Sequence, residues 1–159
     1  FSEQDRSLLT ENNPAQKIPA LIDGDACIYD SSVIFRHLSK KLKQPALSWQ
    51  QENTLTLIDA ANDSMVSILL LMRSEIDVTQ DSLFFNLQRE RVGTILNNLN
   101  TLASKGEFSQ WNYLSMSLFC LLDWLSFRSL YQWDEYSELQ EFYNVAIKKE
   151  SVIATDPRL

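Results

Sequence analysis

Two short stretches near the start of the chain carry the residues best suited to bind a small polar ligand. The first is Asn13-Pro14-Ala15-Gln16-Lys17-Ile18-Pro19. An X-Pro bond takes the cis form at a cost of only about 0.5–1 kcal/mol. A cis turn at Ile18-Pro19 would aim the backbone N–H and C=O of Ile18 outward, where an extended peptide can pair with them. The second stretch is Asp30-Ser31, directly ahead of a helix-like run. Backbone N–H groups at a helix start attract anions, so the Ser31 hydroxyl can bind a carboxylate there while Asp30 receives an ammonium group. Lys17 is a candidate for holding a further carboxylate and equally a solvated surface lysine. Taken singly, Ile18-Pro19 also reads as a plain turn and Asp30-Ser31 as a plain helix cap.

Other reactive side chains are sparse. His37, the sole histidine, has no nucleophile or carboxylate at a recognisable spacing and is expected on a helix surface or against a sheet. Cys27 and Cys120 lie far apart in apolar surroundings without a second Cys or His at metal-ligand spacing, so buried reduced thiols and no metal are expected. The three glycines form no phosphate-cradling motif. A net charge of -7 and a pI near 4.7 argue against a nucleic-acid partner. No uninterrupted apolar run approaches the roughly 20 residues of a membrane span, and Phe1-Ser2-Glu3-Gln4-Asp5-Arg6 lacks the regions of a signal peptide. A cytoplasmic protein with no membrane partner is the expectation.

The elements that must position these residues change character near Lys40 to Leu47. Before that point the text is short and β-like, broken by Pro14, Pro19, Asp23-Gly24-Asp25 and Pro45. Ala20-Leu21-Ile22 and Ala26-Cys27-Ile28-Tyr29 flank Asp23-Gly24-Asp25 as a β-hairpin does, and Asp30-Ser31-Ser32 introduces a helix through Val33, Ile34, Phe35 and Leu38. From Ser48 onward the pattern is helical. Ser48-Trp49-Gln50-Gln51 reads as a capping box ahead of Leu55, Ile58, Ala61, Met65, Leu69 and Met72 at steps of three and four. A second helix is predicted from about Ser82 to Ala103, stopping near Lys105-Gly106. A third, about Tyr113 to Arg128, is apolar on nearly every side and should be central. A last helix begins at a capping box in Ser137-Glu138-Leu139-Gln140. Two domains are expected, 1–42 and 48–159, giving an α+β chain that is mostly α.

Asn13-Pro14-Ala15-Gln16-Lys17-Ile18-Pro19-Ala20-Leu21 and Tyr29-Asp30-Ser31-Ser32-Val33-Ile34 resemble, in order and spacing, the two adjoining glutathione motifs of glutathione S-transferases. The resemblance runs on through Ile58-Asp59-Ala60-Ala61-Asn62-Asp63, Leu122-Asp123-Trp124-Leu125-Ser126-Phe127-Arg128 and Lys149-Glu150-Ser151-Val152-Ile153-Ala154-Thr155-Asp156-Pro157, and looks closest to bacterial members of the YibF-like type. It implies a partial thioredoxin-like domain followed by the all-helical C-terminal bundle of that family. It also implies glutathione as substrate, held by Lys17, Ile18, Pro19, Asp30 and Ser31, with transfer to a hydrophobic electrophile. A pocket for that electrophile is expected at Met65, Leu69, Arg73 and Phe119, residues that otherwise read as core or surface. The Ser, Cys or Tyr that activates the glutathione thiol in this family sits at the end of a first strand, in a strand-helix-strand unit that Phe1 to Glu11 cannot hold. The catalytic residue is therefore expected outside these 159 residues, whether the protein extends upstream or is truncated. The resemblance further implies a homodimer, and the alternative is a noncatalytic interaction module of the same fold. Asn112 and Ser115 depart from the family's Ser/Thr-x-x-Asp box, leaving Ser115 without the carboxylate that would close it.

Overall fold

The computed structural model describes residues 3–158, the side chain of Gln4 excepted. The chain divides into two compact units, residues 1–48 and 49–159.

In the first unit, α1 (Glu3–Asn12) leads into a loop, then β1 (Ala20–Asp23), β2 (Ala26–Tyr29) and α2 (Ser31–Lys41). The strands pair antiparallel with Leu21 opposite Ile28 and Asp23 opposite Ala26, so Gly24 and Asp25 are the two turn residues. Gly24 takes φ +61° there, a conformation that glycine adopts without steric cost. Helix α1 is absent from the sequence reading because Leu8 and Leu9 are its only apolar side chains, too few to set a helical period.

The second unit is helical: α3 (Trp49–Arg73), α4 (Leu83–Ser104), α5 (Tyr113–Phe127), α6 (Ser137–Ala146) and the short α7 (Glu150–Ala154). Helix α3 packs on both α4 and α5, and α6 packs on α4 and α5. By length and composition α3 is long and apolar enough to cross a membrane, yet Leu55, Ile58, Ala61, Met65 and Ile68 are buried in this bundle. Around them lie Leu96 and Leu99 of α4, Leu118, Leu122 and Leu125 of α5 and Leu139 of α6, each at 0% exposure. Truncating such a leucine to Ala typically costs about 2–5 kcal/mol. Arg91 ties α4 to α3 by donating to the Ser64 hydroxyl, itself only 2% exposed.

Helix ends show where local sequence suffices and where it does not. Ser82 is the N-cap residue of α4, and Lys105-Gly106 ends it with Gly106 at φ +79°, as the stop signal predicts. Helix α6 differs from expectation. Its N-cap residue is Tyr136, without a side-chain cap bond, and the Asn100 side chain of α4 accepts instead from the N–H groups of Glu138 and Leu139 at 3.0 and 3.2 Å. A neighbouring helix thus replaces the Ser137 capping box.

Ser115 corrects a second expectation. The Asn112 side chain accepts from Ser115 N–H at 3.2 Å, and the Ser115 hydroxyl accepts from Asn112 N–H at 2.9 Å. A hydroxyl closes the box where a carboxylate was thought necessary, in a site with 0% exposure that would penalise a charge. The cysteines correct a third. Cys27 is half-buried and Cys120 exposed, because α5 turns Met116, Cys120 and Phe127 away from the core, with Met116 and Phe127 at 38% and 48% exposure.

Ser115→Ala removes one end of the box and leaves the Asn112 N–H unpaired. A stability loss of about 1–3 kcal/mol is expected, read as a lower urea midpoint at unchanged m-value. Alkaline pH tests the packing independently. Burial raises Tyr136 and Tyr143 from 10.0 to about 12, with Asp123, which accepts the Tyr143 hydroxyl at 2.7 Å, adding to the effect at Tyr143. A raised folded-state value stabilises below the unfolded one, so stability should hold up to about pH 10 and fall between pH 10 and 12. Tyr143→Phe should flatten part of that fall in a thermal-melt series.

Candidate functional site

The loop between α1 and β1 is organised by one buried amide. Asn13 is 1% exposed. Its Nδ2 donates to the Lys17 carbonyl at 2.6 Å and its Oδ1 accepts from Ala15 N–H at 2.9 Å. Its backbone N–H donates to Leu9 C=O at 2.7 Å, and its carbonyl receives Gln16 N–H at 2.9 Å. Both ends of one side chain therefore fix the loop, which delivers Ile18 to the surface at 64% exposure ahead of a cis Ile18-Pro19 bond. Lys17 and Pro19 are exposed alongside it. Asn13 belongs to the loop motif by sequence, and its role as the loop's anchor is visible only in the fold. A lone Asn ahead of a Pro gives no sign that both halves of its amide will be used internally.

The hairpin then returns the chain to Asp30, where α2 starts. The Asp30 carboxylate oxygen Oδ1 accepts from Ser32 N–H at 3.0 Å and Val33 N–H at 3.2 Å. Its backbone sits at φ +78°, ψ +131°, outside the regions favoured by residues with a Cβ and worth roughly 1–3 kcal/mol of strain. Capping offsets part of that cost. Ser31, the first residue of α2, is exposed, and among the described residues its hydroxyl has no hydrogen-bond partner. Asp30 and Ser31 thus present a carboxylate with one oxygen engaged, a hydroxyl, and the N-terminal end of an 11-residue helix.

At the far end of the hairpin, Asp23 is clamped to α2. His37 and Lys41, four residues apart and so on one face, meet the Asp23 carboxylate at 2.7 and 2.5 Å. His37 therefore lies against the sheet as expected. It does have a carboxylate, supplied by the last residue of β1 from a position 14 residues upstream that no local motif would mark.

The electrophile-pocket candidates scatter. Met65 is 1% exposed in the core of the bundle, Leu69 is half-buried, and Arg73 is exposed as the last residue of α3. Phe119 lines a cavity of about 680 Å³ with Trp111, Met116, Cys120, Trp124 and Phe127. Asp123 and Arg128, together with Ser151, Val152 and residues 155–158, supply the remaining wall. Phe119 stacks on Tyr143 at 5.4 Å and meets Trp111 edge-on at 6.3 Å. Desolvation and the Asp123 carboxylate push the Cys120 thiol up from its ordinary value, so it stays protonated at neutral pH.

The path of this backbone recurs in solved structures. A glutathione transferase family member from Pseudomonas fluorescens Pf-5, with bound glutathione, superposes with a TM-score of 0.83 over 100% of this chain and 83% of its own, at 23% identity. The fold is that of the glutathione transferases. A glutathione S-transferase from Methylobacillus flagellatus KT with glutathione bound matches at TM-score 0.79 and 24% identity, covering 94% of this chain and 80% of that one. Glutathione S-transferase 1-6 from Anopheles dirus species B matches at 0.73 and 13% identity, covering 96% and 76%. Residues 1–40 match the model of the glutathione S-transferase N-terminal domain, the segment that holds Asn13, Ile18, Asp30 and Ser31. A comparison with curated protein sequences gives no significant match. In this fold the first unit is the thioredoxin-like part and the second the helical C-terminal domain.

Asn13→Asp keeps the acceptor for Ala15 and loses the donor to Lys17, in a site too buried for a charge. A loss of about 1–3 kcal/mol is expected in chemical denaturation, and Asn13→Ala should fall in the same range. For the Asp23 clamp, Lys41 and then His37 hold the Asp23 carboxyl below its ordinary 3.8. A depressed folded-state value stabilises above the unfolded one, so the contribution is present above about pH 4 and disappears as pH falls through the folded-state value. Lys41→Met should make acid unfolding less steep in that window.

Proposed function

We propose that this chain binds glutathione on its thioredoxin-like unit and belongs to an enzyme that transfers it to a hydrophobic electrophile. The observation that carries the reading is the pairing of an exposed Ile18, held by the Asn13 amide, with the polar start of α2 at Asp30-Ser31 in one compact unit. The match of residues 1–40 to the glutathione S-transferase N-terminal domain supports it, as do similar folds crystallised with glutathione.

Each proposed contact follows from the chemistry of the tripeptide. The backbone of Ile18 pairs with the cysteinyl residue as a short β-addition, next to Pro19. The γ-glutamyl carboxylate is received by the Ser31 hydroxyl and the Ser31 N–H, since Asp30 already takes the N–H groups of Ser32 and Val33. Its ammonium group is received by the Asp30 oxygen that is not capping the helix. Lys17 attracts the glycyl carboxylate. These residues bind and orient the thiol, and holding the two reactants in fixed geometry is a large part of what such a protein contributes to the rate. The helical unit offers the aromatic cavity beside Phe119 as the compartment for the electrophile. A homodimer is part of the same reading, supported by the exposed apolar side chains Leu70, Met72, Ile76, Leu83 and Leu87 on and between α3 and α4.

Isothermal titration of glutathione into the full chain is expected to show saturable binding. Ser31→Ala should weaken it by about tenfold or more, the effect of losing one hydrogen bond to a charged group. Absence of binding by the intact folded protein would sink the transferase reading and leave a noncatalytic module of the same fold.

A further inference from the structure

Helix α1 is weakly supported by its own sequence and by its surroundings. It has 10 residues, whereas isolated helices shorter than about 12–15 residues are marginal in water even when rich in Ala. Among its described side chains Leu9 and Asn12 are half-buried and the others are exposed, Leu8 at 62%. Packing therefore adds little. Asp5, Ser7, Thr10 and Asn12 are middling to poor helix formers. Glu3 and Asp5 suit the first turn, but the last turn holds no basic residue and places Glu11 against the negative end of the helix dipole. The Thr10 hydroxyl and Asn12 Nδ2 donate to the carbonyls of Arg6 and Leu8 at 2.9 and 2.8 Å, bonds that close on the helix itself.

The C-terminal end of α1 runs directly into Asn13, which is 1% exposed. The Asn13 N–H donates to the Leu9 carbonyl at 2.7 Å and so extends the last turn of α1. Its Nδ2 donates to the Lys17 carbonyl at 2.6 Å and so sets the loop ahead of Ile18. One residue thus belongs to both structures. When the last turn of α1 opens, Asn13 loses its backbone anchor, and when the loop opens, its amide loses its buried partners. The two orderings support each other.

We infer that α1 is a conformational switch for ligand binding: it is partly unfolded in the free chain and becomes fully helical when glutathione occupies the Ile18 backbone, so that the stability of α1 sets the affinity. This inference rests on the glutathione-binding reading. A ligand that pairs only with the ordered loop has its apparent Kd raised by the inverse of the ordered fraction. By linkage the same ligand must draw the chain toward the ordered state.

Paired substitutions at Ser7 and Thr10, both exposed and outside the proposed contacts, test it by calorimetry of glutathione on the full chain. Ser7→Gly with Thr10→Gly lowers helix propensity and should weaken binding about fivefold, whereas Ser7→Ala with Thr10→Ala raises it and should tighten binding by up to about fivefold. Amide hydrogen exchange reads the unmodified protein: saturating glutathione should slow the α1 amides from Ser7 to Asn12 by about tenfold or more and leave Leu118 and Leu122 of the bundle unchanged. Equal affinity of the wild type and both paired variants overturns the inference, as does bound glutathione with α1 exchange unaltered. In either case glutathione binds and this inference alone falls. If the intact folded chain does not bind glutathione, the transferase reading falls and the switch with it.

Discussion

A helix as apolar as Tyr113–Phe127 has to be surrounded, and the helical unit is arranged around that requirement. Leu114, Leu118, Leu121, Leu122 and Leu125 fall within about 100° of one another around α5, and Ser115 and Phe119 widen this buried face, so more than one helix packs on it. Helices α3 and α6 both close on it, and α4 completes the bundle by packing on those two. The apolar area buried in this way is the main favourable term of the unit. It also fixes the face that stays outside. Met116, Cys120 and Phe127 point away from the bundle, and with Trp111, Phe119, Trp124, α7 and the residues that follow it they line the aromatic cavity. The cavity is thus a by-product of where the core had to be.

The thioredoxin-like unit works on a different principle. Its strands are four residues long, and the residues proposed to bind ligand are held mainly by local polar bonds. One amide, Asn13, sets the loop that carries Ile18, and one carboxylate, Asp30, caps α2 while holding an unfavourable backbone conformation. The Asp23 clamp from His37 and Lys41 secures the opposite end of the hairpin. Sites built on short-range hydrogen bonds can place main-chain groups closely without a large core, and they are correspondingly exposed to single polar substitutions.

The fold was largely legible in the sequence because its signals are local or periodic. The Asp-Gly hairpin turn, the Asp30 cap, the Gly106 stop and the leucine spacing of α3 to α6 each depend on residues within one or two turns of one another. Helix α1 escaped because two leucines define no period. The cap of α6 escaped because Asn100 lies 38 residues from Glu138. Ser115 was underrated because a hydroxyl matches a carboxylate as an acceptor only when the site is dry and the geometry close.

By itself the sequence determined the type and order of the elements from β1 to α6, the placement of Lys17, Ile18, Pro19, Asp30 and Ser31 on one loop and one helix start, and the apolar character of α5. Those properties follow from side-chain volume, hydrogen-bonding groups and spacing along a single segment. Tertiary structure alone decided that His37 meets Asp23, that Asn13 is buried with both halves of its amide engaged, and that Phe119 joins Trp111, Trp124 and Phe127 while Met65 goes to the core. It also decided that Arg158 takes up both Asp123 and Asp156. Pairing of charges and burial of a face depend on distances in space, and no periodicity along the chain encodes them.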